Sequence, residues 1–136
     1  MTRIKIFLCI TGLFIFSNIN AQELSKEDRK VRIYSSEEID NIQNWYHREV
    51  KKMNLSEEEM DQYSAILVYY VAKIARLDDK DKGYSEERFK KELNSLLAKQ
   101  DEELKELLTP EQFEIHKKIY GEFLSSAYRR WGIKND

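Results

Sequence analysis

The chain has very little cysteine, proline and glycine, and each shortage excludes a class of structure. Its 136 residues include one cysteine, one proline and four glycines. The one cysteine, Cys9, lies in an apolar run near the N-terminus. We therefore expect no disulfide, no thiolate nucleophile and no cysteine-ligated metal in the remainder of the chain. So little glycine and proline also argues against a loop-rich or β-rich fold.

The first 21 residues have the pattern of a cleaved secretory signal peptide. Arg3 and Lys5 precede an apolar run at positions 6–16, and the segment ends on the small residue Ala21. A membrane-spanning helix needs about 20 apolar residues, so this run is too short to be one. We predict export to the periplasm or secretion, cleavage before Gln22, and no membrane insertion of the mature chain.

An excess of charge of one sign is also missing. Removing residues 1–21 removes two basic and no acidic residues, so the net charge changes from −2 to −4 over the remaining 115 residues. The charges are of mixed sign without a basic block, so nucleic acid is not an expected partner. This length predicts one domain, with a polar tail at residues 22–35 and a helical domain at residues 36–136.

What the chain does have is helical periodicity. Apolar residues recur three and four positions apart in four stretches, which predict helices at about 36–53, 57–77, 86–107 and 110–131. Their matched lengths and short connections favour antiparallel neighbours. We therefore predict a small all-α domain of four long helices arranged as hairpins. The face that the first helix should bury carries Ile39, Ile42, Tyr46, Val50 and Met53.

Two copies of a helix-start phrase lie 53 positions apart: LSEEEM from position 55 and LTPEQF from position 108. In each copy a hydroxyl residue suits the N-cap, and Glu or Gln stands at N3 to complete a capping box. If the chain reverses at every connection, the two phrases are neighbours and their leucines share one apolar plug. The six motif residues are Leu55, Ser56, Glu59, Leu108, Thr109 and Gln112.

The second phrase, Leu108-Thr109-x-x-Gln112, resembles the LTxxQ motif of the Spy/CpxP family of periplasmic stress proteins. Members of that family have a signal peptide, about four helices, two such motifs close together and a dimeric cradle shape. The resemblance implies an ATP-independent chaperone or envelope-stress protein that binds apolar segments of unfolded clients, with a homodimer among the expected assemblies. It leaves two alternatives: a regulatory module that acts on a sensor protein, and a metal-binding stress protein.

No residue pattern points to catalysis or to a bound cofactor. A Gly-rich phosphate loop and a nucleophile elbow are both missing. His47 and His116 have no second ligand at i+3 or i+4, so we predict no metal site. In the turn at 78–83, Lys80 and Lys82 stand where a calcium loop needs ligands, so we interpret it as a solvated turn. We predict neither an enzyme nor a cofactor-dependent protein.

Four large apolar residues lie off the predicted core faces when the helices are drawn at 100° per residue. Such residues either widen the contact with the core or form an exposed patch for a partner, and the sequence leaves both alternatives open. If they are exposed, they are the candidate dimer or client surface. The four are Trp45, Tyr69, Ile115 and Ile119.

Overall fold

The computed structural model describes residues 25–135, which form four α-helices joined by short turns. Helix α1 spans Ser36–Val50 and continues into a 3-10 turn, Lys51–Met53; α2 spans Glu57–Ala75, α3 Glu86–Leu107 and α4 Pro110–Trp131. These described residues contain no strand, so the predicted all-α, four-helix class is confirmed. The predicted signal peptide at residues 1–21 lies outside them.

Each helix begins at a residue whose side-chain oxygen accepts a hydrogen bond from the backbone N–H three positions on. This satisfies one of the amide groups that a helix start otherwise leaves unpaired. The 3-10 turn and α4 end at Asn54 and Gly132, which both adopt the left-handed conformation, with φ of 51° and 71°. The four N-cap residues are Ser35, Ser56, Ser85 and Thr109.

Two apolar clusters, one at each end of the bundle, form the core. Cluster 1 joins the end of α1 and its 3-10 turn to the starts of α2 and α4 and the end of α3. Cluster 2 joins the end of α2 to the start of α3, and the end of α4 packs against it. Each helix is therefore antiparallel to the next, and α2 and α4 start at the same end. Cluster 1 is Val50, Met53, Tyr63, Leu104, Leu108 and Phe113; cluster 2 is Ile74, Leu77, Phe89 and Leu93.

Helix α1 lies along α4. At one end the Gln112 side chain donates a hydrogen bond to the Met53 carbonyl, with 3.1 Å between Nε2 and the oxygen. At the other end the Tyr34 hydroxyl lies 2.8 Å from Oγ of Ser126. These two contacts, near opposite ends of α4, fix the direction of α1 and place the segment before it.

The prediction that Ile39 faces the core is wrong, because its side chain is 41% exposed. In the described residues the backbone of α1 packs closely against α4 and lies farther from α2 and α3, so only a narrow side of α1 is covered. The neighbouring Glu38 forms an ion pair with Arg130 of α4, and both side chains are partly exposed, at 38% and 47%. The later residues of the predicted face behave as expected, since Val50 and Met53 are buried.

Candidate functional site

The two repeated phrases lie side by side at the cluster 1 end of the bundle. Leu108 belongs to cluster 1, and Leu55 packs against it. The Gln112 side chain accepts a hydrogen bond from the Thr109 amide at 3.0 Å, and its Nε2 donates to the Met53 carbonyl. The capping box of the second phrase therefore also holds the chain two residues before the first phrase. The prediction that the two phrases are neighbours is confirmed.

The correspondence between α2 and α4 extends one turn beyond the phrases. Tyr63 and His116 are also 53 positions apart, and the Tyr63 hydroxyl lies 2.7 Å from Nδ1 of His116. The Tyr46 hydroxyl of α1 lies 2.7 Å from the Tyr63 hydroxyl, which makes a three-member chain across three helices. The His116 ring stacks on Tyr120 at 5.3 Å between centroids. Equivalent positions of the two repeats thus meet in a buried polar contact.

Burial decides the charge state of this chain of groups. It lowers the pKa of His116 to about 4, so the imidazole is neutral at pH 7. Burial likewise raises the pKa of Tyr46 and of Tyr63 above the usual tyrosine range. Nδ1 of a neutral imidazole can accept from Tyr63, whose oxygen can accept from Tyr46. His116 is 1% exposed, so a molecule bound at the surface cannot reach this nitrogen.

The double role of Gln112 gives a prediction with a matched control. Gln112→Ala should lower the free energy of unfolding by about 1–2 kcal/mol, because it removes both the capping bond and the bond to the Met53 carbonyl. Glu59→Ala, the equivalent change in the first phrase, removes a capping bond alone and should cost about half as much. Denaturant unfolding of both variants measures the difference. Equal losses would show that the bond to Met53 contributes nothing.

Two of the four predicted surface residues belong to the interior. Ile119 is 3% exposed, and Ile115 is half-buried against cluster 1. Both lie on the face of α4 that carries Gln112 and Ser126, the residues that contact the α1 segment. The first helix therefore covers them. The expectation that Ile115 and Ile119 form an exposed patch is therefore wrong. They fit the other alternative, in which they widen the contact with the core.

The other two predicted surface residues differ from each other. Trp45 is half-buried on α1 and makes an edge-to-face contact with Tyr46 at 5.9 Å between ring centroids. Tyr69 is 53% exposed on α2, with Nζ of Lys73 at 4.5 Å from its ring centroid. Tyr69 is thus the one member of the predicted set whose side chain is mainly in solvent, and it remains a candidate contact residue.

Tyr69 stands in a larger apolar surface that we call the α2 outer face, formed by Ala65, Val68, Tyr69 and Ala72. All four residues are exposed, and Val68, at 69%, is the most exposed large apolar residue among residues 25–135. Sequence reasoning did not single out Val68. Its exposure could have been predicted, because Val68 lies about 140° around the helix from the core residue Tyr63 at 100° per residue.

Neither histidine belongs to a metal cluster in the described part of the chain. No group of three or more His, Cys, Asp or Glu side chains within residues 25–135 is arranged to hold a metal ion. His47 is exposed on α1, whereas His116 is buried and uses Nδ1 in its bond to Tyr63.

Comparison of the chain with models of protein families, with curated proteins and with solved structures gave no significant match. Among residues 25–135, no helix combines the length and apolar character needed to cross a lipid bilayer.

Proposed function

We propose that this chain is an exported protein-binding domain of the Spy/CpxP type, which holds apolar segments of other proteins without ATP. The observation that carries the proposal is the α2 outer face. Val68 and Tyr69 are exposed at 69% and 53% in the middle of a 19-residue helix, and Ala65 and Ala72 flank them in solvent. Contiguous apolar surface of this kind is where soluble proteins contact partners.

The chemistry of this face suits weak binding to varied segments. Small alanine side chains on both sides of Val68 and Tyr69 let another chain approach the helix closely. The Tyr69 ring offers a large apolar contact and a hydroxyl for hydrogen bonding. Lys73, which lies over that ring, adds a positive charge at the edge of the face. A partner with an apolar stretch and acidic flanks would therefore fit it.

The repeated phrases support the family part of the proposal. Two LTxxQ-like helix starts that meet at one end of a four-helix bundle are the feature on which the resemblance to Spy/CpxP proteins rests. Here the contact of Gln112 with the Met53 carbonyl joins them directly. The phrases begin helices and are structural in this proposal, so binding is assigned to the α2 outer face.

The test replaces Val68 and Tyr69 together with glutamine, which keeps helix propensity and removes the apolar surface. The melting transition should be nearly unchanged, because exposed substitutions usually stay within about 0.5 kcal/mol. Suppression of aggregation of an unfolded client should weaken about tenfold, since two partly buried apolar contacts are lost from the complex. Light scattering of a heat-denatured client measures it.

Ile39→Gln is the matched control, because Ile39 is also an exposed apolar helix residue but lies on α1. It should leave client protection at the parent level. Equal protection by the Val68/Tyr69 double variant and the parent would exclude the α2 outer face as the client surface. If the parent protects no client and instead saturates with a single partner, the regulatory module becomes the better description.

A further inference from the structure

Residues 25–34, which we call the N-terminal strap, lie against the turn between α2 and α3. The strap begins with one helical turn at 25–29, in which the Ser25 hydroxyl accepts from the Asp28 amide at 3.1 Å. Most of its residues are exposed. Few side chains of the strap are therefore packed, and individual contacts account for its position.

Two of those contacts recognise the main chain of the strap. Nη2 of Arg76, at the end of α2, donates to the Lys26 carbonyl at 2.7 Å. The backbone N–H of Lys80 donates to the Arg29 carbonyl at 2.8 Å. Neither bond depends on which side chain the strap carries at these positions. A different segment with the same backbone course could make both.

Two further contacts do depend on side chains. Nη1 of Arg29 forms an ion pair with Oδ2 of Asp81 at 3.1 Å, and this bond lowers the pKa of the Asp81 carboxyl. Two positions further on, Val31 borders a cavity of about 290 Å³ whose walls include Leu77 and Phe89. The turn thus offers a carboxylate to a basic residue and an apolar wall to the residue two positions later.

The strap leaves some groups of the turn between α2 and α3 without contacts. Asp79 is 7% exposed; its Oδ2 lies 3.1 Å from Nε of Arg76, and this ion pair orients the guanidinium that holds the Lys26 carbonyl. Oδ1 of Asp79, Nη1 of Arg76 and Nε of Arg29 are buried without a hydrogen-bond partner in residues 25–135. Val31 itself is 39% exposed beside the cavity. Two polar atoms of the turn, Oδ1 of Asp79 and Nη1 of Arg76, are therefore left without a partner, and the cavity beside Val31 is left for a better-fitting occupant; the orphaned Nε of Arg29 belongs to the strap itself.

We propose that the turn between α2 and α3 is a peptide-binding groove that the strap occupies in cis. Its ligands in trans are segments of other proteins with a basic residue two positions before an aliphatic one, as Arg29 stands before Val31. Peptide-binding sites commonly combine main-chain hydrogen bonds for affinity with separate side-chain contacts for specificity, and this turn has both. The groove is distinct from the α2 outer face, so the proposal does not rest on the proposed function.

The attachment of the strap is weak enough to permit exchange. The Arg29–Asp81 pair is exposed, at 35% and 45%, and such pairs contribute little and are screened by salt. Segments held by few buried contacts and exposed hydrogen bonds open locally at low free-energy cost. A tethered segment competes at an effective concentration of roughly millimolar order, so weakening the strap should be required before a free peptide binds.

The amide of Lys80 reports directly whether the strap occupies the groove, because its hydrogen-bond acceptor is the Arg29 carbonyl of the strap. The amide of Lys82 is the internal control, since it bonds to the Asp79 carbonyl within the turn at 2.9 Å. Arg29→Glu and Asp81→Arg should each lower the hydrogen-exchange protection of Lys80 about fivefold in the full chain and leave Lys82 unchanged. The double variant, with the charges swapped, should restore it. Unchanged Lys80 protection in the single variants would overturn the proposal.

A nine-residue peptide with the sequence of residues 25–33 tests binding in trans. At millimolar concentration it should restore Lys80 protection in the Arg29→Glu chain, and the same peptide with glutamate in place of its arginine should not. Asp81→Arg should reverse this preference. Failure of both peptides would overturn the groove as a binding site. If Arg29→Glu also lowers the hydrogen-exchange protection of Lys82, the milder variant Asp81→Asn is measured instead. If Asp81→Asn also lowers protection at both Lys80 and Lys82, the proposal is overturned.

Discussion

Lowering the pH from 7 to 4 should reduce the free energy of unfolding by about 3 kcal/mol through His116. Burial lowers the pKa of this side chain from 6.5 to about 4 in the folded chain. Well above pH 6.5 the imidazole is neutral in both states, and the folded state keeps its full stability. As the pH falls toward 4, the unfolded chain binds a proton that the folded chain does not, at about 1.4 kcal/mol per pH unit. Below pH 4 both states bind it, and this loss levels off.

Denaturant unfolding at several pH values between 4 and 8 measures this loss. His116→Gln should remove most of the dependence on pH, because it removes the titrating group while leaving a polar partner for Tyr63. His47→Gln is the control, since His47 is exposed on α1 and the variant should show the parent profile. A His116→Gln variant that loses stability with falling pH as the parent does would show that another group causes the loss.

The helix starts could be predicted from the sequence because capping acts over three residues. Ser56 and Thr109 bond to the amides at positions 59 and 112, and the returning bonds come from those same residues. Thr109 and Pro110 therefore locate the start of α4 without any information from the rest of the chain. The same holds for Gly132, whose positive φ ends that helix. Local chemistry decides these positions, so a single sequence is sufficient.

The burial of off-stripe residues could not be predicted, because a neighbouring helix decides it. Ile119 and Tyr69 both lie to the side of their helices' apolar faces, but they are 3% and 53% exposed. Helix α1 packs on α4 and covers Ile119, whereas no described helix covers the outer side of α2 at Tyr69. Periodicity gives the direction in which a side chain points and not the presence of a second helix there. Which of the four predicted surface residues are exposed could therefore be decided only from the structure.

Long-range polar contacts could not be predicted from the sequence either. The Arg29–Asp81 pair joins positions 52 residues apart, and nothing in the charged turn distinguishes Asp81 from Asp78 as the partner. The burial of Gln100, in contrast, could have been predicted from its helical spacing. It stands three and four residues from Leu97 and Leu104 on the apolar face of α3, and it is fully buried there. A polar residue on such a face predicts a buried polar side chain, and both polar side-chain atoms of Gln100 lie buried without a hydrogen-bond partner in residues 25–135.

Leu104→Ala should lower the free energy of unfolding by about 3–4 kcal/mol, the range for a fully buried leucine whose cavity cannot collapse. Leu104 is 0% exposed in cluster 1, where all four helices contribute side chains. Leu107→Ala is the matched control on the same helix, because that side chain is half-buried and should cost about 1–2 kcal/mol. A loss below that of Leu107→Ala would show that cluster 1 is not the packed core of the domain.

The same comparison tests whether the bundle unfolds as one unit. Leu93 is also 0% exposed, but it lies in cluster 2 at the opposite end. Helices α2 and α3 contribute to both clusters, and α4 contributes to cluster 1 and packs against cluster 2, so loss of packing at one end should weaken packing at the other. Leu93→Ala and Leu104→Ala should therefore lower one shared melting transition by similar amounts, without a second transition. Two separate transitions in either variant would mean that the repeated phrases hold only their own end of the bundle.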